Sequence, residues 1–162
     1  MPKVALIMGS KSDWPSLKGC VDVLKKFEIE VEVHVASAHR TPETVAAFAA
    51  NARENGFEVI IAAAGKAAHL AGVIAGHTTL PVIGIPVKSS FMDGLDSLLS
   101  TVQMPTGIPV ATVAVGGGDN AAYLAAQMLS IKYPILAEKL LAHREQMAAA
   151  IKADDRQIQD EV

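Results

Sequence analysis

Short β-branched runs alternate along this chain with longer segments rich in Ala and Leu, and that alternation restricts the fold more than any other feature. Val4 to Met8, Val31 to Ala36, Val59 to Ala63, Val82 to Ile85 and Val110 to Val115 are predicted as strands. Between and after them, Pro15 to Phe27, Thr44 to Asn55, Ala67 to Gly76, Leu95 to Val102 and Ala121 to Ile131 are predicted as helices. The chain is 51% apolar but only 4% aromatic, a balance that suits a parallel sheet covered by helices. Strand, helix, strand repeated with right-handed crossovers predicts an α/β, flavodoxin-like three-layer sandwich. Its five-stranded parallel sheet is expected in the order 2-1-3-4-5.

With 162 residues the chain is long enough for one buried core and short for two domains, so residues 1–152 are expected to form one catalytic domain. Pro134 can open an extra C-terminal helix that Ile135 to Ile151 continue. Its apolar positions Leu136, Leu140, Leu141, Met147 and Ile151 would face either the chain's own domain or another subunit, and the second option predicts a homo-oligomer. The polar segment 153–162 is expected to fray.

A net charge of -3 without a basic cluster argues against nucleic acid as a partner. The start of the chain lacks the pattern of a signal peptide, and no apolar run approaches the roughly 20 residues that cross a bilayer, so a cytoplasmic protein without a membrane partner is expected. Cys20 has no second cysteine to pair with and falls in a predicted helix, where it reads as a packed thiol.

In an open parallel sheet, ligands bind beyond the carboxyl ends of the strands. The loop after the first strand, Gly9-Ser10-Lys11-Ser12-Asp13, offers close backbone approach, two hydroxyls and an immediate helix start, all suited to a phosphate. Asp13, set a sugar's length away, can accept hydrogen bonds from ribose hydroxyls. Equally, Ser12 or Asp13 could do no more than cap the helix. The loop after the second strand, Ser37-Ala38-His39-Arg40-Thr41-Pro42, joins a titratable imidazole to a fixed cation that can grip phosphate, or it is a surface pair at a helix start. After the third strand, Gly65-Lys66-Ala67-Ala68-His69 could present backbone N–H groups to a carboxylate, while the His69 imidazole reads as structural. Phe91 and Met92, if exposed, suit a subunit contact or a lid, and Asn120 is expected to cap the helix after Gly116-Gly117-Gly118.

The five histidines form no metal-ligand motif, and neither a Walker loop nor a nucleophile elbow is present. These residues alone point to a small phosphorylated ligand and acid–base chemistry. A flavodoxin-like protein binding FMN, with Trp14 against the ring, is the reading of a different class.

Taken together and in order, the loop motifs resemble the PurE family. They are Gly9-Ser10-Lys11-Ser12-Asp13, Ser37-Ala38-His39-Arg40-Thr41-Pro42, Ala64-Gly65-x-Ala67-Ala68-His69-Leu70 and Leu95-Asp96-Ser97-Leu98-Leu99-Ser100-x-Val102-Gln103-Met104-Pro105. The resemblance implies an isomerase without cofactor or metal that interconverts N5-carboxyaminoimidazole ribonucleotide and its C4-carboxylated isomer in purine biosynthesis, usually as a homo-octamer. It implies that Ser10, Ser12, Asp13 and Arg40 hold the ribose phosphate and that His39 is the general acid and base. Ser37, Gly65, Ala67, Ala68 and His69 would surround the imidazole and the migrating carboxyl group. A direct aminoimidazole ribonucleotide carboxylase of the same superfamily is the nearest alternative. Two positions depart from many relatives, which carry Gly at Lys66 and Pro at Ala71; the changes would either alter the loop's backbone freedom or place a cation near the carboxylate, and Lys66 is left without an assigned role.

Overall fold

Each predicted strand is present in the computed structural model, which describes residues 1–162. Strands β1 (Lys3–Met8), β2 (Glu30–Val35), β3 (Val59–Ala64), β4 (Val82–Pro86) and β5 (Ala111–Thr112) form one sheet in the order β2-β1-β3-β4-β5. All four pairings are parallel, with Val4 of the central β1 opposite Val31 of β2 and Val59 of β3. Helices α1 (Trp14–Lys26), α2 (Pro42–Asn51), α3 (Leu70–His77), α4 (Leu95–Val102) and α5 (Gly118–Ser130) cover its faces, and α6 (Pro134–Glu161) packs on α5. This is the expected flavodoxin-like order, with the extra C-terminal helix.

Because strand side chains alternate in direction, β1 feeds two cores. Val4, Leu6 and Met8 pack with Leu17, Cys20 and Leu24 of α1 and Ala121 and Ala125 of α5. Ala5 and Ile7 point the other way, toward Val45 and Ala49 of α2 and Leu70 and Ile74 of α3. Side chains such as Leu6, Ile61 and Ile83 are fully buried, and each such burial stabilises by roughly 1.5–3 kcal/mol. Cys20 is the packed thiol expected, its pKa pushed up to about 12 by burial and then by the Asp119 carboxylate. On β4, Gly84 permits a close approach: a Cβ there would stand 2.5 Å from Thr101 Cγ2 of α4 and 3.0 Å from Val110 Cγ1.

Three local expectations are corrected. The fifth strand covers only Ala111–Thr112 of the predicted Val110 to Val115, because it pairs only with β4 and the chain soon turns at Gly116, with φ +71. That turn, closed by the Gly117 N–H to the Ala114 carbonyl, brings the chain into α5 early, so Gly117 occupies the N-cap and Asn120 lies inside the first turn. The segment expected to fray is helical as far as Glu161, since no Gly or Pro follows Pro134 to interrupt α6. Residues 153–161 touch no core and are exposed throughout.

The start of α6 is tied down by Glu58, which accepts hydrogen bonds of 2.7 Å from both Tyr133 Oη and Lys132 Nζ. Farther along, Lys139 pairs with Glu28, and His143 stacks on Tyr123 of α5 with ring centroids 4.7 Å apart. Leu136 is buried, whereas Leu141, Met147 and Ile151 are exposed. No helix is long and apolar enough to cross a membrane.

Candidate active site

The crossover from β1 leads to β2 at one edge, and the next leads back past β1 to β3, so the connections diverge at the carboxyl ends of β1 and β3. Loops leaving such a point splay apart and open a crevice. Three loops meet there: Gly9 to Asp13, Ala36 to Thr41 and Gly65 to His69. Continued backbone pairing holds their first residues, with the Gly9 N–H on the Ala63 carbonyl at 3.1 Å and the Ala36 N–H on the Met8 carbonyl at 3.0 Å.

The crevice is a cavity of about 470 Å³, within the range that accepts small ligands. Ser10, Asp13, Ser37, His39, Arg40, Gly65, Ala67 and His69 all line it, as do Gly9, Ala38, Ala64, Lys66 and Leu70. Two residues anticipated from the sequence do not line it. Ser12 stands behind Ser10, its Oγ 2.8 Å from Ser10 Oγ. Ala68 is buried, and its N–H donates to Ser100 Oγ at 2.8 Å, so that amide is not free to receive a carboxylate.

In the first loop, Ser10 caps the short turn Lys11–Asp13 by accepting the Ser12 N–H, and Asp13 precedes α1 without capping it. The Asp13 carboxyl therefore remains available to the cavity. Its pKa is raised above the ordinary 3.8, because burial outweighs the opposing hydrogen bond from the Ser10 backbone.

The second loop is braced internally. Thr41 Oγ1 accepts the Ser37 N–H at 2.9 Å, and Ser37 Oγ accepts the Arg40 N–H at 3.1 Å. Arg40 then reaches across to the first loop, donating from Nη2 to the Gly9 carbonyl at 3.0 Å. Its guanidinium carries five N–H groups, so donors remain for a ligand. No carboxylate lies within ion-pair distance of Arg40, which leaves its charge available to an anion.

The third loop brings a second imidazole to the first. His39 Nε2 and His69 Nδ1 are 2.7 Å apart, with the rings nearly perpendicular at 85°. One of these nitrogens must donate and the other accept, so each ring fixes the orientation and tautomer of its partner. His69 is therefore part of the site, not a residue buried elsewhere for packing. Helix α3 begins at Leu70 rather than at the predicted Ala67, because Lys66 takes a left-handed φ of 57° that leaves Ala67 and Ala68 in the loop.

Ser100 also supports the site, although nothing in the sequence marks it as a site residue. From α4 its hydroxyl receives the Ala68 N–H and faces the Asp96 carbonyl at 2.6 Å and the Lys66 carbonyl at 3.2 Å. It lies within the Leu95 to Pro105 motif, but no local pattern joins it to a loop more than thirty residues earlier.

A larger groove of about 760 Å³ runs between α5 and α6, past Tyr123, Leu124, Leu140 and Met147. Helix faces line it, away from the strand ends where the three polar loops converge, and it is the poorer place for chemistry on a small ligand.

Residues 3–150 match the family model described as AIR carboxylase. The chain belongs to the AIR carboxylase family. A relative from Pyrococcus abyssi is 59% identical over 147 residues, covering 91% of this chain and 84% of its own, and is named N5-carboxyaminoimidazole ribonucleotide mutase. A protein of the same name from Mycobacterium tuberculosis H37Rv is 51% identical over 158 residues, covering 98% of this chain and 91% of its own. Among solved structures, Treponema denticola PurE superposes with a TM-score of 0.87 at 31% identity, covering 97% of this chain and 98% of that one. The likeness to PurE carried by the loop motifs thus extends to the whole AIR carboxylase fold.

Proposed function

We propose that this chain is an N5-carboxyaminoimidazole ribonucleotide mutase, an isomerase of purine biosynthesis that moves a carboxylate from the exocyclic nitrogen of its substrate to ring carbon C4. The observation that carries the reading is the His39–His69 contact beside an unpaired Arg40 in one cavity. The names of relatives at 51% and 59% identity support the same activity. Arg40 and Ser10 hold the phosphate, with Ser12 bonded to Ser10 from behind, and Asp13 accepts hydrogen bonds from the ribose hydroxyls. Ser37, Gly65, Ala67 and His69 surround the base and its carboxylate, with Ala68 buried behind them.

His39 donates a proton to the exocyclic nitrogen as the N–C bond to the carboxylate breaks and carbon dioxide forms. C4 then attacks the trapped carbon dioxide, forming the C–C bond, and His39 recovers a proton from C4. Substrate and product are isomers, and the imidazole ends as it began, so the chemistry requires no external reductant, oxidant or nucleotide. Trapping carbon dioxide between the two steps needs a closed pocket.

The catalytic domain spans residues 1–152, acts in the cytoplasm and assembles as a homo-octamer. Phe91, Met92 and Leu99, and on α6 Leu141, Met147 and Ile151, are exposed apolar side chains suited to burial between copies. Light scattering is expected to give a particle several times heavier than the 17.0 kDa chain, and an active monomer would contradict shared sites. The activity is tested by supplying either the N5-carboxylated nucleotide or aminoimidazole ribonucleotide with bicarbonate, without ATP. Faster use of the first is expected, and faster use of the second would make the protein a direct carboxylase.

A further inference from the structure

We propose that Lys66 recognises the substrate carboxylate and sets the preference for carboxylated over uncarboxylated nucleotide, an inference that rests on reading the cavity as a carboxyl-transfer site. Four non-glycine residues have positive φ, namely Glu28, Lys66, Met92 and Asp93, and Lys66 alone among them lines the cavity. Its φ of 57° is strained for a long side chain, and Asn or Asp would tolerate it better. A residue that satisfied only the backbone at this position would not need an ammonium group.

The hydroxyl of Ser100 sits beside this turn. The Lys66 carbonyl lies 3.2 Å from Ser100 Oγ, which also receives the Ala68 N–H at 2.8 Å. The chain just after Lys66 thus meets α4 at Ser100, beside the point from which the Lys66 side chain leaves the cavity wall.

The charge distribution gives that side chain a task. Asp13, Arg40 and Lys66 are the Asp, Glu, Arg and Lys residues that line the cavity. Arg40 is bonded to Gly9 and lies with Ser10 and Ser37 on the side of the first two loops. Lys66 belongs to the third loop, which carries Gly65, Ala67 and His69, and no carboxylate lies within ion-pair distance of it. A carboxylated nucleotide brings two anions, a phosphate and a carboxylate. Two cations on opposite loops can divide them, Arg40 taking the phosphate and Lys66 the carboxylate.

Calorimetric titration of the wild-type enzyme, Lys66→Asn and Lys66→Arg with two nucleotides tests the assignment. One ligand is aminoimidazole ribonucleotide and the other its C4-carboxylated form, which share the phosphate and differ in the carboxylate. Asn accepts the left-handed backbone while removing the charge, and Arg restores the charge. Lys66→Asn should weaken binding of the carboxylated nucleotide about five- to tenfold, leave the uncarboxylated one within about twofold, and Lys66→Arg should recover most of the loss. Equal losses for both ligands would place the cation on the phosphate and overturn the assignment, as would no change for either. Turnover of the N5-carboxylated substrate by the wild-type enzyme separates this from the wider reading: its absence would sink the proposed activity whatever Lys66 does.

Discussion

Replacing His39 with Asn is expected to remove nearly all conversion while leaving nucleotide binding and assembly in place. Asn keeps a polar group of similar reach that can still meet His69 Nδ1, now 2.7 Å from His39 Nε2, but an amide cannot take up and return a proton near neutral pH. Loss of a positioned general acid–base typically lowers rate by about 10²- to 10⁴-fold, and the same imidazole serves both proton transfers in the proposed route. The effect should therefore appear in kcat, with the nucleotide Kd little changed. His69→Asn should lose less, because it removes the group that orients the His39 ring and leaves the proton carrier. Measuring turnover and binding for both variants decides between the rings: an active His39→Asn enzyme beside an inactive, folded His69→Asn enzyme would transfer the proton-carrying role to His69.

Arg40→Ala is expected to weaken nucleotide binding by about 10- to 100-fold, the scale of losing a charge-assisted contact of roughly 1.5 to 3 kcal/mol. Two effects combine in that variant. The phosphate loses its cation, and the first loop loses the 3.0 Å bond that ties the Gly9 carbonyl to the second. Arg40→Lys keeps the charge but cannot span Gly9, Ser37 and a phosphate with one planar fork, so an intermediate loss is expected. Titration with the uncarboxylated nucleotide isolates this contact from any made to the carboxylate. Unchanged affinity in Arg40→Ala would mean that the phosphate lies elsewhere.

The architecture was legible because β-branched runs and Ala-rich segments alternate with little ambiguity, and the order of the sheet follows from short right-handed crossovers. Boundaries failed where tertiary contacts override local preference. Ala67 and Ala68 are good helix formers, yet the left-handed turn at Lys66 and the hydroxyl of Ser100 hold them in the cavity loop. Asn120 is a good cap by type, but the turn at Gly116 starts α5 before the chain reaches it. At the C-terminus, composition suggested a loose tail, whereas an uninterrupted run of helix formers extends α6 to Glu161.

Within the site, His39, Arg40, Asp13 and the serines stood out because each lies immediately after a strand and carries chemistry. Pairing across loops was not legible. The contact between His39 and His69 joins residues thirty positions apart, and nothing in the spacing of either loop indicates that their rings meet. The same holds for Ser100, a common residue on an amphipathic helix whose importance arises only from the buried Ala68 amide above it.

The central claim, that one imidazole moves a carboxylate within a single bound nucleotide, is tested most directly by following that carboxylate. The enzyme would be supplied with nucleotide bearing isotopically labelled carboxylate on the exocyclic nitrogen, in buffer containing unlabelled bicarbonate and no ATP. The account predicts that the C4 carboxylate of the product carries the label, because carbon dioxide is trapped in the cavity between bond breaking and bond making. Product carrying carboxylate from the unlabelled pool, formed at least as fast as from free aminoimidazole ribonucleotide, would contradict it.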